Sequence, residues 1–105
     1  LGYRRQAEDK SGKEKIISQG LILEQAGCFG LVLEHVPSQV ASKLRNQLKI
    51  PVIGIGAGED CDGQVRVTAD LLGLTSKQPP FSPPLIQGQK LCLEALGSWI
   101  QKQQL

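Results

Sequence analysis

Glu34 follows directly on Leu31-Val32-Leu33, an unbroken apolar run of the kind that forms a buried strand, so it falls at that strand's C-terminal end. In parallel α/β architectures, ligands and reacting groups gather along that edge. An apolar setting makes a carboxylate a stronger base, because the charged form is poorly solvated there. Glu34 is therefore the leading candidate for proton abstraction. The competing reading is a loop or helix-capping carboxylate ahead of Pro37. His35 is the only histidine, and neighbours on a strand point to opposite faces, so it reads as a loop histidine that could orient its surroundings. No second ligand at metal-site spacing accompanies it.

Gly54, Gly56 and Gly58 form a GxGxG run after a second apolar segment, Pro51 to Ile55. A dinucleotide fingerprint would lead straight into a helix, whereas here Glu59-Asp-Cys-Asp-Gly63 follows, and no GK[ST] is present for a phosphate loop. The glycines allow close backbone approach at a strand end, either for N–H groups facing an anion or simply for a tight turn. Glu59, Asp60 and Asp62 could be metal oxygens or a solvated loop. They lack the calcium-loop spacing, so no metal ligand is assigned, and Asp62-Gly63 reads as a turn. Asp70 is a lone carboxylate expected to cap a following turn. Cys28, Cys61 and Cys92 form neither a CxxC pair nor a disulfide framework, so reduced and mostly buried thiols are expected.

The elements needed to position these groups can be read from the apolar pattern. Ser11 followed by Glu14 has capping-box spacing and predicts a helix start, with Ile16, Ile17, Leu21 and Leu23 along it and Gly27 as a left-handed C-cap. Residues 29–33 predict a strand buried on both faces, since the run does not alternate. Pro37 and Ser38 open a second helix carrying Val40, Leu44 and Leu48, followed by the strand Pro51–Ile55 and a short third strand Val65–Val67. After the Pro79–Pro84 stretch a last helix is expected, with Ser82 as N-cap, Pro83 at its first position and one buried face of Cys92, Ala95, Leu96 and Trp99. Strands alternating with helices predict right-handed βαβ units and a parallel sheet, hence an α/β fold.

Composition narrows the classes further. With 105 residues, 40% hydrophobic and 21% charged, the chain is one soluble domain at most, and its 4% aromatics require an aliphatic core. A net charge of +2 and no basic cluster interleaved with aromatics argue against nucleic acid. No apolar run approaches the ~20 residues of a membrane span, and the polar start LGYRRQAEDK is unlike a signal peptide, so a cytoplasmic location is expected. The chain contains no Met, even at position 1, so it is expected to be processed or a piece of a longer protein. Three strands would cover part of a doubly wound sheet, or just under half of an eight-stranded barrel of roughly 250 residues.

The segments Leu31-Val-Leu-Glu-His-Val-Pro37 and Ile50-Pro-Val-Ile-Gly-Ile-Gly-Ala-Gly58, with Asp62-Gly-Gln64 and Asp70-Leu-Leu-Gly-Leu74, resemble the ketopantoate hydroxymethyltransferase family in order and spacing. The resemblance runs from Gly2-Tyr3 to about Leu74 and fades after Pro79; Ala69 stands where the family often has His. It implies a (βα)8 TIM barrel of the phosphoenolpyruvate-mutase-like superfamily. Residues 1–105 would be its C-terminal portion, about three βα units, with residues 79–105 as a Pro-rich connection and terminal helix. It implies transfer of a hydroxymethyl group from 5,10-methylenetetrahydrofolate to 3-methyl-2-oxobutanoate, giving 2-dehydropantoate in pantothenate biosynthesis, with Glu34 as the proton acceptor. Mg2+ is implied as cofactor, with ligands expected upstream of this chain, and so is a homo-oligomer of the full-length protein. The isolated chain is then expected to be inactive. The alternatives are another 2-oxo-acid lyase or mutase of the same superfamily, or a non-catalytic partial barrel.

Overall fold

The computed structural model describes residues 7–103; Gly2 and Tyr3, with the rest of the first six residues, lie outside the described residues. The chain divides between Val65 and Arg66 into two compact units. The first contains helix α1 (Lys10–Gln25), strand β1 (Leu31–Glu34), helix α2 (Ser38–Gln47), strand β2 (Val52–Ile55) and strand β3 (Gly63–Gln64). The second contains the single turn α3 (Thr68–Leu71) and helix α4 (Gly88–Lys102). The sheet is parallel throughout, in the order β1-β2-β3, which gives the mixed α/β class expected from the apolar pattern.

α1 begins slightly earlier than its Ser11-Glu14 signal suggests. Asp9 is the N-cap, its Oδ1 accepting from the Gly12 N–H at 2.8 Å, and Ser11 lies inside the helix. A carboxylate at this position both satisfies a free N–H and meets the positive end of the helix dipole, so Asp9 outcompetes the serine. The C-terminus is as expected. Gly27 takes φ +101°, Gly27 N–H donates to the Glu24 carbonyl and Cys28 N–H to the Leu23 carbonyl, the paired bonds of a Schellman ending.

α1 and α2 cover one face of the sheet. Leu31 and Leu33 of β1, Val40 and Leu44 of α2, and Val52 of β2 form the buried core, with Ile16, Ile17 and Leu21 packed against it. Gly20, the buried residue of α1, is the close-contact point: a Cβ there would stand 2.5 Å from Leu44 Cδ2. Among the described residues nothing covers the other face of the sheet at β1, and Ile53 and Ile55 of β2 are only partly covered there. Val32 is 66% exposed, so β1 is not the doubly buried strand its apolar run predicts. Its hydrophobicity is suited to a face that these residues do not themselves cover.

β3 also departs from expectation. It is Gly63–Gln64, not Val65–Val67, and pairs with β2 only at Ile53↔Gly63 and Gly54↔Gln64. Val65 and Val67 are exposed. A parallel neighbour usually needs a long crossover. Here the loop 56–62 suffices because β2 is only four residues long, so the chain has to climb back no further than from Ile55 to Val52 before β3 begins. The Asp62 N–H donates to the Val52 carbonyl while Asp62 Oδ2 accepts from the Val52 N–H, both at 2.8 Å, which pins the start of β3 two residues ahead of the valines.

In the second unit the last helix starts at Gly88, not at Ser82. Ser82 is buried in the preceding loop instead, where its carbonyl accepts from Gln78 Nε2. The first N–H groups of α4 find other partners: Gly88 N–H donates to the Leu72 carbonyl and Gln89 N–H to the Gly73 carbonyl. The free donors of one helix start thus meet the free acceptors just past α3. Glycine is required at 88, because a Cβ would run into the Leu72 carbonyl. The expected buried face of α4 is solvent-facing here. Cys92 and Ala95 are exposed, and Leu96 and Trp99 are each 59% exposed. No helix among the described residues is long and apolar enough to cross a membrane.

Candidate active site

Because all strands run in parallel, the C-terminal ends of β1 and β2 lie along one edge, and the register places Glu34 beside Ile55 there. Burial alternates along β1: Leu31 and Leu33 are buried against the helices, while Val32 and Glu34 are exposed. Glu34 therefore sits on the open face, in line with Val32, as the last residue of the strand. The apolar enclosure expected around it is absent among the described residues. It stands instead at the rim of an apolar surface formed by Val32, Ile53 and Ile55.

His35 does not continue the alternation. Its φ of +51° is left-handed, and its N–H donates to the Ile55 carbonyl at 2.8 Å, closing the ladder as the chain turns toward Pro37. The turn delivers the chain to Ser38, the first residue of α2, so Glu34 is held by a strand on one side and a sharp bend on the other.

The glycine loop lies next to that bend. Gly56 and Gly58 take φ of +68° and +85°, while Ala57 between them is fully buried. Gly58 fits closely against the start of α2, where a Cβ would come within 2.5 Å of Ser38 Cβ. The tight-turn reading of these glycines is the one the packing explains. Gln64 Nε2 donates to the Gly58 carbonyl at 2.8 Å and so ties the loop to β3.

The acidic residues of the loop separate by role. Glu59 and Asp60 are exposed. Asp62 is a clasp, accepting from the Val52 N–H and from Arg45 Nε at 3.0 Å, and so joins β2, β3 and α2. The Val52 N–H first and the Arg45 guanidinium second hold the Asp62 carboxyl below the usual carboxylate range. A folded-state pKa below the unfolded value stabilises the fold above about pH 4 and is lost as pH falls through the lowered value. Thermal unfolding of the wild type between pH 7 and pH 3 should therefore lose more ground than that of Asp62→Asn, which has no charge to neutralise. Equal acid sensitivity of the two proteins would exclude this contribution.

Glu24 was not legible as a positioning residue, yet its Oε2 accepts from both the Lys49 and Ile50 N–H groups, at 2.6 and 3.2 Å, and fixes the entry to β2. A groove of about 520 Å³ lined by Arg45, Lys49 and Asp62 lies at this opposite end of β2, where the charged pair already satisfies itself. Cys61 is half-buried beside Gly54; burial first, then the charges of Asp62 and Asp60, push its thiol up, which keeps it protonated at neutral pH. Cys28 is likewise partly buried, but Cys92 is exposed, contrary to expectation, because its helix face is uncovered.

Asp70 lies in the second unit and is buried, at 6% exposure. It lies inside α3 and holds the turn that follows, as expected, though through a side chain rather than a backbone N–H: its Oδ1 accepts from Thr75 Oγ1 at 2.5 Å, and its carbonyl accepts from Gln78 Nε2. Its contacts reach beyond that turn to Gln78, whose Nε2 also donates to the Ser82 carbonyl, so Asp70 is a structural hub of the 68–82 loop.

The family model described as ketopantoate hydroxymethyltransferase matches residues 1–104, so the similarity does not fade after Pro79 but runs through α4. Among curated relatives, the 3-methyl-2-oxobutanoate hydroxymethyltransferase of one Prochlorococcus marinus strain is 69% identical over 102 residues, 97% of this chain and 40% of the relative. That of a second Prochlorococcus marinus strain, MIT 9303, is 70% identical over 102 residues, covering 97% and 38%. That of Synechococcus sp. (strain CC9902) is 66% identical over 104 residues, covering 99% and 38%. The chain thus spans about two fifths of the length of these relatives. On the family match and these identities together, the chain belongs to the ketopantoate hydroxymethyltransferase family.

Proposed function

We propose that the full-length protein transfers a hydroxymethyl group from 5,10-methylenetetrahydrofolate to 3-methyl-2-oxobutanoate, giving 2-dehydropantoate and tetrahydrofolate for pantothenate biosynthesis. The observation that carries this is the 69% identity over 97% of the chain to a protein named for that activity. On this reading residues 1–105 are the C-terminal portion of one (βα)8 barrel of the phosphoenolpyruvate-mutase-like superfamily, with 79–105 as its Pro-rich connection and terminal helix. The parallel sheet with helices on one face and an apolar opposite face is compatible with a segment of a barrel wall. The partners are the 2-oxo acid and the folate, in a cytoplasmic homo-oligomer.

Glu34 acts as the general base. Its carboxylate takes the proton from C3 of 3-methyl-2-oxobutanoate; the C–H electron pair moves into the C2–C3 bond and the keto oxygen gains the charge. Water adds to the folate's methylene carbon as that carbon's two bonds to N5 and N10 break, its two protons passing to those nitrogens and its oxygen staying on the carbon; the enolate carbon then bonds to this carbonyl carbon, and the alkoxide oxygen takes the proton back from Glu34. Ile55 and Val32 line the same face as Glu34 and suit the dimethyl end of the substrate better than its carboxylate.

Mg2+, which the family implies, does not fit the residues described here. Among them no group of three or more His, Cys, Asp or Glu side chains gathers as a metal site. Its ligands belong to other parts of the full-length protein, and the steps assigned to this chain do not pass through it. The test is turnover of 3-methyl-2-oxobutanoate by the full-length protein with and without 5,10-methylenetetrahydrofolate. Folate-dependent appearance of 2-dehydropantoate is expected. Cleavage or rearrangement of the 2-oxo acid that ignores the folate would point to a lyase or mutase instead.

A further inference from the structure

We propose that Gln64 is a positioning residue for Glu34, acting through the Gly56–Gly58 loop; this rests on the reading of Glu34 as the base. Gln64 is itself well fixed. It pairs with Gly54 in the sheet, and the next N–H, that of Val65, donates to the Gly54 carbonyl at 3.0 Å. Gly54 leaves room for its side chain, since a Cβ there would lie 3.4 Å from Gln64 Oε1 and 2.7 Å from Cys61 Sγ. From this anchor Gln64 Nε2 reaches the Gly58 carbonyl at 2.8 Å. Gly58 in turn packs on Ser38, where a Cβ would stand 2.5 Å from Ser38 Cβ and 3.1 Å from its Cα. Ser38 terminates the bend that begins at Glu34 and passes through left-handed His35. The amide of Gln64 therefore holds the wedge that holds the bend that carries the base.

The register separates this role from substrate contact. Gln64 is in line with Gly54 and Leu33, whereas Glu34 is in line with Ile55. Neighbouring positions along a strand face opposite sides of the sheet, so Gln64 lies on the face away from Glu34. Loosening it changes how often the bound substrate finds Glu34 aligned, which lowers kcat, while leaving the groups that bind substrate in place.

The experiment measures isotope exchange at C3 of 3-methyl-2-oxobutanoate by the full-length protein, comparing wild type, Gln64→Leu, Gln64→Glu, Gly58→Ala and Glu34→Gln. Leucine has no donor, and a glutamate is ionised at neutral pH and repels the Gly58 carbonyl. Both Gln64 variants should exchange about tenfold more slowly at saturation, with KM within about twofold and the urea midpoint near that of wild type. Gln64→Leu combined with Gly58→Ala should be no slower than the slower single variant, because both act through one contact. Should Gly58→Ala not fold, the Gln64 pair decides the matter alone. A wild-type rate for Gln64→Leu beside a dead Glu34→Gln overturns this inference and leaves the base intact. A loss of rate that merely follows loss of folded protein also overturns it. A wild-type rate for Glu34→Gln overturns the base and this inference with it.

Discussion

Glu34→Gln in the full-length protein should slow proton exchange at C3 of 3-methyl-2-oxobutanoate by about 10²–10⁴-fold, the usual weight of a general base. Glutamine keeps the size and the polar contacts of the side chain but has no basic oxygen. The residue is exposed at the end of β1, so the change should leave stability within about 0.5 kcal/mol of wild type. The pairing of a large catalytic loss with an unchanged unfolding midpoint is the signature to look for. Exchange at the wild-type rate would remove Glu34 from the chemistry.

The largest structural effect should come from Leu44→Ala. Leu44 is fully buried where α2 packs on α1 and the sheet, and Gly20 of α1 has no side chain with which to fill the space left behind. Removing a buried leucine costs about 2–5 kcal/mol, the upper part of that range applying where the surroundings cannot collapse. The seam should be equally intolerant of added volume. Gly20→Ala gains about 1 kcal/mol of helix propensity but forces a methyl against a closely packed Leu44, at an overpacking cost of about 1–3 kcal/mol. Urea unfolding at unchanged slope would measure both. A Leu44→Ala protein as stable as wild type would mean that the α1–α2 seam is not a core contact.

Much of this was legible in advance where the signal is local. The apolar run ending in Glu34, the Pro37-Ser38 start of α2 and Gly27 as a left-handed ending each follow from the conformational preferences of a few adjacent residues, and the structure has all three, although β1 covers Leu31–Glu34 and leaves Phe29, expected inside the strand, exposed ahead of it. The expectations that changed depended on which of several competing groups satisfies a backbone donor, a near neighbour at the start of α1 and residues ten or more apart at β3 and α4. Asp9 outdid Ser11 as a cap by adding charge to a hydrogen bond. Asp62, read as a turn residue, bonds back to Val52 and Arg45 and thereby moves β3 ahead of Val65. The carbonyls of Leu72 and Gly73 replaced Ser82 in satisfying the start of α4.

What the sequence determined by itself is the order helix, strand, helix, strand from α1 to β2, the parallel α/β class, the family and the candidate base, because helix and strand periods and the LVLEHVP and IPVIGIGAG segments are written in adjacent residues. Only the tertiary structure decided which partners those residues take. It put Glu34 on the open face beside Ile55, set Gly58 against Ser38 under the Gln64 amide, and left Val32 and the apolar side chains of α4 uncovered. The reason is physical: a hydrogen bond or a close contact between residues far apart in the chain depends on where both ends arrive, and no local preference of either residue contains that information.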